Sequence, residues 1–87
     1  MKIIKIGALW CPACLIVNKH LKKIDNVDIV SYDYDFDEEI VKKYDVGKIL
    51  PVLIFLDSLG NEKKRLIGEV SQKEIENAIK DVLYEVN

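Results

Sequence analysis

The chain has 87 residues, of which 49% are apolar and 32% charged, and its 13 basic and 15 acidic side chains leave a formal net charge of −2. A domain this small buries only about 60% of the surface its unfolded chain exposes, so one core is available and a second is not. The near-balanced charge offers little to nucleic-acid phosphates, and the longest apolar runs, Leu50–Leu56 and Ala8–Trp10 with its neighbours, fall far short of the roughly 20 residues of a membrane span.

Lys2–Ile6 is rich in β-branched residues and predicts a strand ended by Gly7. This opening has no apolar stretch of signal-peptide length and no small-residue cleavage site, so the chain reads as leaderless and cytoplasmic. Pro12–Ile24 predicts a helix, with Cys14, Val17, Leu21 and Ile24 on one face and Lys19, Lys22 and Lys23 on the solvated side. The alternation over Val27–Asp35 predicts a second strand. Asp37 is placed to cap a short helix running to Tyr44, with Phe36 and Val41 spaced as a hydrophobic staple.

Pro51–Asp57 is continuously apolar before its final aspartate, the pattern of a strand buried on both faces. Ser58-Leu59-Gly60-Asn61 reads as a turn and Glu62–Ile67 as the returning arm of a hairpin, whose Lys63-Lys64-Arg65 run suits a charge-protected edge. The last helix opens on Ser71 and Glu74 as a capping box and carries Ile75, Ala78, Ile79, Val82, Leu83 and Val86 as its apolar stripe. The order is β-α-β-α-β-β-α. With right-handed crossovers it predicts an α/β domain over residues 1–87, a four-stranded mixed sheet with helices on both faces.

The chemistry concentrates in Trp10-Cys11-Pro12-Ala13-Cys14, between the first strand and first helix. Unpaired amides and the helix dipole at such a start favour a negative charge, and Pro12 suits the first turn, where a missing N–H costs nothing. Thiolates in this setting have depressed pKa values, so Cys11 is expected to be the more nucleophilic sulfur. Cys14, nearly one turn on and facing the sheet, is expected to be deeper and able to resolve a mixed disulfide on Cys11. Structural thiols would fit Cys14 but not Cys11, which follows an exposed-looking loop. A zinc site needs four ligands, and the chain offers two cysteines and one histidine. His20 lies about 240° around the helix from Cys14, pointing away as a surface residue. A metal or iron–sulfur cluster would therefore have to bridge two chains. The acidic stretch of Asp33, Asp35, Asp37, Glu38 and Glu39 lacks the spacing of a calcium loop and reads as a solvated strand end and helix start.

Together with Asp33-Tyr34-Asp35, Leu50-Pro51 and Gly68, the Trp-Cys-Pro-Ala-Cys motif resembles the thioredoxin family over essentially the whole chain, in a shortened form of glutaredoxin size. The resemblance implies a thioredoxin fold and a protein thiol–disulfide oxidoreductase. In it Cys11 is the attacking cysteine and Cys14 the resolving one, and no cofactor is bound. Disulfide-containing proteins are the targets, and an external reductase such as thioredoxin reductase resets the pair. It also implies that Pro51 is the cis-proline beside the dithiol. Trp10, Pro12, Leu50, Pro51, Ile67 and Gly68 then form an apolar collar for an extended substrate segment, which adds along the Leu50 backbone. Three features depart from the family. Lys5 replaces its buried acid and reads as a side chain snorkelling to solvent, with thiolate stabilisation as the alternative. The inner dipeptide is Pro-Ala instead of Gly-Pro. The first strand and helix are missing, as in glutaredoxins, but Ile49-Leu50-Pro51 and Gly68-Glu69-Val70 do not match the glutathione-binding sequences of that group.

Overall fold

The computed structural model describes residues 1–84. Its elements are β1 (Lys2–Gly7), α1 (Pro12–Leu21), β2 (Asp28–Asp33), α2 (Glu38–Lys43), β3 (Val52–Leu56), β4 (Glu62–Ile67) and α3 (Gln72–Leu83). This is the expected order, in a sheet arranged β2-β1-β3-β4. β1 runs parallel to β2 and antiparallel to β3, and β3 and β4 form the antiparallel hairpin.

The central strands explain why the sequence alternates so little there. All five residues of β3 are buried, because α1 and α3 cover one face of the sheet and α2 the other. On the first face Ile3, Leu53 and Phe55 pack with Val17 and Leu21 of α1 and with Ile75, Ala78, Ile79 and Val82 of α3. On the second, Ile4, Ile6, Val52, Ile54 and Leu56 join Cys11, Cys14 and Leu50, with Ile40 and Val41 of α2 against them. α1 thus serves both faces: its first turn belongs to the second core and its later turns to the first.

The capping box of α3 forms, with the Glu74 amide on Ser71 Oγ at 3.1 Å and the Ser71 amide on Glu74 Oε1 at 3.3 Å. Leu83 departs from the expected stripe, being exposed, and Val86 lies outside the described residues. α1 ends at Leu21, short of Ile24, and the chain turns through Asn26 at φ 64°. Asp37 sits at the expected N-cap of α2 but makes no capping bond there. Its carboxylate reaches back instead to accept the Asp33 amide at 2.7 Å. The staple does not close, since Phe36 stays 79% exposed. In the hairpin turn Gly60 adopts φ 84°, a conformation that favours glycine, and Asp57 Oδ1 accepts the amides of Leu59 and Asn61 at 2.9 Å. β4 is a sheet edge, as the Lys63-Lys64-Arg65 run suggested, but the run is tied down. Lys64 pairs with Asp81 of α3 at 2.8 Å, and Arg65 reaches Glu62 and the Tyr44 carbonyl at 2.7 Å.

Candidate functional site

Gly7 ends β1, and the chain turns through Ala8–Cys11, closed by a 3.3 Å bond from the Cys11 amide to the Ala8 carbonyl. Cys11 is the N-cap of α1 in extended conformation, with Pro12 in the first turn. This is the place where α1 leaves amides without helical partners. The Cys14 amide, shared with the Cys11 carbonyl at 3.1 Å, donates to Cys11 Sγ at 3.2 Å. A sulfur is doing here what a serine or aspartate oxygen does at an ordinary cap. The Cys11 thiol in turn points at the Leu50 carbonyl, 3.7 Å away.

Both cysteines are free, and both are buried. The expectation of an exposed Cys11 above a covered Cys14 survives only as an ordering, with 5% of Cys11 and 2% of Cys14 accessible. The loop before Cys11 is indeed exposed, at Leu9 and Trp10. The cysteine itself turns inward because its sulfur closes the helix cap. Burial and the adjoining Cys11 sulfur push the Cys14 thiol up to about 11. Cys14 is thus held as a neutral thiol at neutral pH, its ionised form opposed mainly by loss of hydration.

The Leu50–Pro51 peptide bond is cis, and both residues are buried. The Pro51 carbonyl accepts the Gly68 amide at 2.8 Å, which ties the start of β3 to the end of β4. Gly68 adopts φ 89°, where a side chain would be strained. Cys11, Leu50, Pro51 and Gly68 therefore form one connected series. Of the other collar residues, Trp10, Pro12 and Ile67 are exposed. Trp10 is 63% exposed, and its indole N–H donates to Asp35 Oδ2 at 2.7 Å. The acidic stretch has local uses of this kind: Asp33 Oδ1 accepts the amides of Asp35 and Phe36 at 2.8 and 3.1 Å. Among the described residues no group of three or more His, Cys, Asp or Glu side chains is placed to hold a metal ion. His20 is half-buried, with Nδ1 enclosed and unpartnered. It is not the surface residue its helical angle suggested.

Three residues of the site escaped the sequence reading. A Cβ on Gly7 would lie 3.1 Å from Cys14 Sγ, so the glycine makes room for that sulfur as well as ending the strand. Ile49, 65% exposed, lies beside Gly68 and widens the apolar rim. Asn18 accepts from Lys5 Nζ at 2.5 Å. The Lys5 ammonium is held there instead of standing free in water, and burial lowers its pKa while the sulfurs of Cys14 and Cys11 and the Asp33 carboxylate oppose that shift. Gly7 had a signal in its position, directly after a strand and before a cysteine turn. Ile49 and Asn18 had none.

No family model and no curated protein matches the chain. Solved structures do. The mitochondrial thioredoxin 3 of Saccharomyces cerevisiae, in its oxidized form, is 27% identical over 92% of this chain and 76% of its own, with a TM-score of 0.81. The thioredoxin of Trypanosoma brucei brucei is 25% identical over 97% and 75%, with a TM-score of 0.83. A malarial protein is 25% identical and almost the same length, covered over 94% of this chain and 96% of that one, with a TM-score of 0.82. The mixed sheet, with a Cys-X-X-Cys pair at the start of its first helix, defines a thiol-based redox protein of the thioredoxin fold. In fold and in the placement of its cysteine pair the chain is similar to these thioredoxins.

Proposed function

We propose that the chain is a protein thiol–disulfide oxidoreductase whose Cys11–Cys14 dithiol reduces or exchanges protein disulfides. The observation that carries this reading is the Cys11 sulfur at the N-cap of α1, accepting the Cys14 amide at 3.2 Å. An N–H bond and a helix start both favour sulfur as an anion, and the thiolate is the nucleophile in disulfide exchange. The Cys11 thiolate attacks one sulfur of the target disulfide. A Cys11–target bond forms, and the other target sulfur leaves as a thiolate. Cys14 then loses its proton to solvent and attacks Cys11 Sγ. The Cys11–Cys14 bond forms and the second target sulfur departs, leaving the target reduced by two electrons and the protein oxidised. An external dithiol reductase, such as thioredoxin reductase, returns the electrons, in keeping with a reducing cytoplasm.

The residual 5% exposure of Cys11 sets how a target must arrive. An extended segment, laid along Leu50 and flanked by Trp10, Pro12, Ile67 and Gly68, brings its sulfur to Cys11 while its backbone pairs with exposed edges. Insulin-disulfide reduction tests the reading. Cys11→Ser abolishes it, and Cys14→Ser accumulates covalent target adducts on non-reducing gels. Full activity in Cys11→Ser would refute the assignment.

A further inference from the structure

Cys14 shares a cavity of about 320 Å³ with a lysine that the reaction above leaves idle. Lys5, Gly7, Cys14, Asn18, Ser31 and Asp33 are among its lining residues. Lys5 sits in β1 between the buried Ile4 and Ile6, in a stretch from Ile3 to Gly7 otherwise given to the core. Both side chains flank Gly7: the site of a Gly7 Cβ lies 3.1 Å from Cys14 Sγ and 3.7 Å from Lys5 Cε. The Asn18 bond holds Nζ on the α1 side, one helical turn beyond Cys14.

The geometry points to Lys5 as a positioning residue for resolution, its Asn18-held ammonium stabilising the Cys14 thiolate as that anion forms. This rests on the oxidoreductase reading. In the resolving step the Cys14 S–H bond breaks and the proton passes to solvent. The new thiolate then attacks Cys11 Sγ, the Cys14–Cys11 bond forms, and the bond from Cys11 to the target sulfur breaks, its electron pair leaving with the target. Lys5 keeps its proton and changes no bond. It shares its cavity with Cys14 and not with Cys11, and of the two sulfurs it couples more to Cys14, so it lowers the barrier to resolution and affects the first attack by Cys11 less. Such help is needed because burial holds Cys14 neutral, its pKa pushed up to about 11. The Lys5 charge in the same partly desolvated pocket offsets part of that penalty. The titratable and charged groups around the pocket are Cys14 in the first turn of α1, Tyr32 and Asp33 of β2, and Asp37 before α2, with Cys11 nearby and Lys19 and Lys22 toward the end of α1.

Rapid quenching of the reduced protein with a peptide disulfide, followed by mass analysis, reads the formation and decay of the mixed disulfide separately. In Lys5→Met the adduct on Cys11 forms at the wild-type rate, decays about tenfold more slowly, and its decay profile shifts to higher pH. Lys5→Arg restores most of the decay rate. A Lys5→Met protein with wild-type decay and an unshifted pH profile would overturn the inference, as would Lys5→Arg behaving like Lys5→Met. If Lys5→Met does not fold, Asn18→Ala carries the test, with decay slowed about threefold expected and unchanged decay overturning the inference. Failure of the wild type to form any adduct would instead overturn the oxidoreductase reading, and this inference with it.

Discussion

The two faces of the sheet are built from the same strands and do different work. The face under α1 and α3 is hydrocarbon packed on hydrocarbon, from Ile3 and Phe55 to Ile75 and Val82. The other gathers both cysteines, the cis-proline turn and a fringe of half-buried Tyr32, Tyr34 and Tyr44. Burial on the first face removes apolar area from water and stabilises the fold. Burial on the second also strips water from sulfur, which sets chemistry at a cost in hydration. Changes on the first face should therefore move stability with little effect on redox behaviour, and changes on the second should do more of the reverse.

The largest effect expected on stability is Phe55→Ala. Phe55 is fully buried, and its removal should cost about 3–5 kcal/mol in urea unfolding, with Cys11 reactivity unchanged wherever the variant remains folded. Gly7→Ala sharpens the contrast from the other face. Its new methyl group meets Cys14 Sγ at 3.1 Å, so we expect a loss of about 1–3 kcal/mol together with slower closure of the intramolecular disulfide. An unchanged closure rate would separate Gly7 from the dithiol. Ser71→Ala removes the Glu74 amide's partner and should cost about 1 kcal/mol with no change in disulfide closure.

A pH dependence distinguishes the faces more finely. The folded-state pKa of Cys14 is raised from 9.0 to about 11, so between these values the unfolded chain has lost a proton that the folded chain keeps. The stability this confers is fully present below about 9 and is lost as pH rises toward about 11. Wild-type protein should therefore lose more stability across that window than Cys14→Ala does. Parallel curves would contradict the burial assigned to Cys14. At the small end, Leu83→Ser changes an exposed side chain and should stay within about 0.5 kcal/mol of wild type.

Much of this was legible in the sequence. β3 announced itself as an uninterrupted apolar run, α3 by its capping box and stripe, and the dithiol by two cysteines placed where a strand gives way to a helix. What the sequence did not give was three-dimensional in origin. Asp37 has a cap's identity and position, yet its carboxylate goes to the Asp33 amide, a choice between two nearby partners that spacing leaves open. Phe36 fits a staple pattern but remains in water. Cys11 was expected at the surface because its neighbours are, whereas the helix cap draws its sulfur inward. The Lys5–Asn18 bond joins residues 13 apart in sequence, and nothing in either residue's neighbourhood foretells it.

The central claim is that the sulfur capping α1 is the one that attacks. Its most direct test is to mix reduced Cys14→Ser and reduced Cys11→Ser separately with the same peptide disulfide at neutral pH and locate the adducts by mass spectrometry of proteolytic peptides. The account predicts rapid modification of Cys11 in the first protein and little or none of Cys14 in the second. Comparable adduct formation on Cys14, or an inert Cys11, would contradict it.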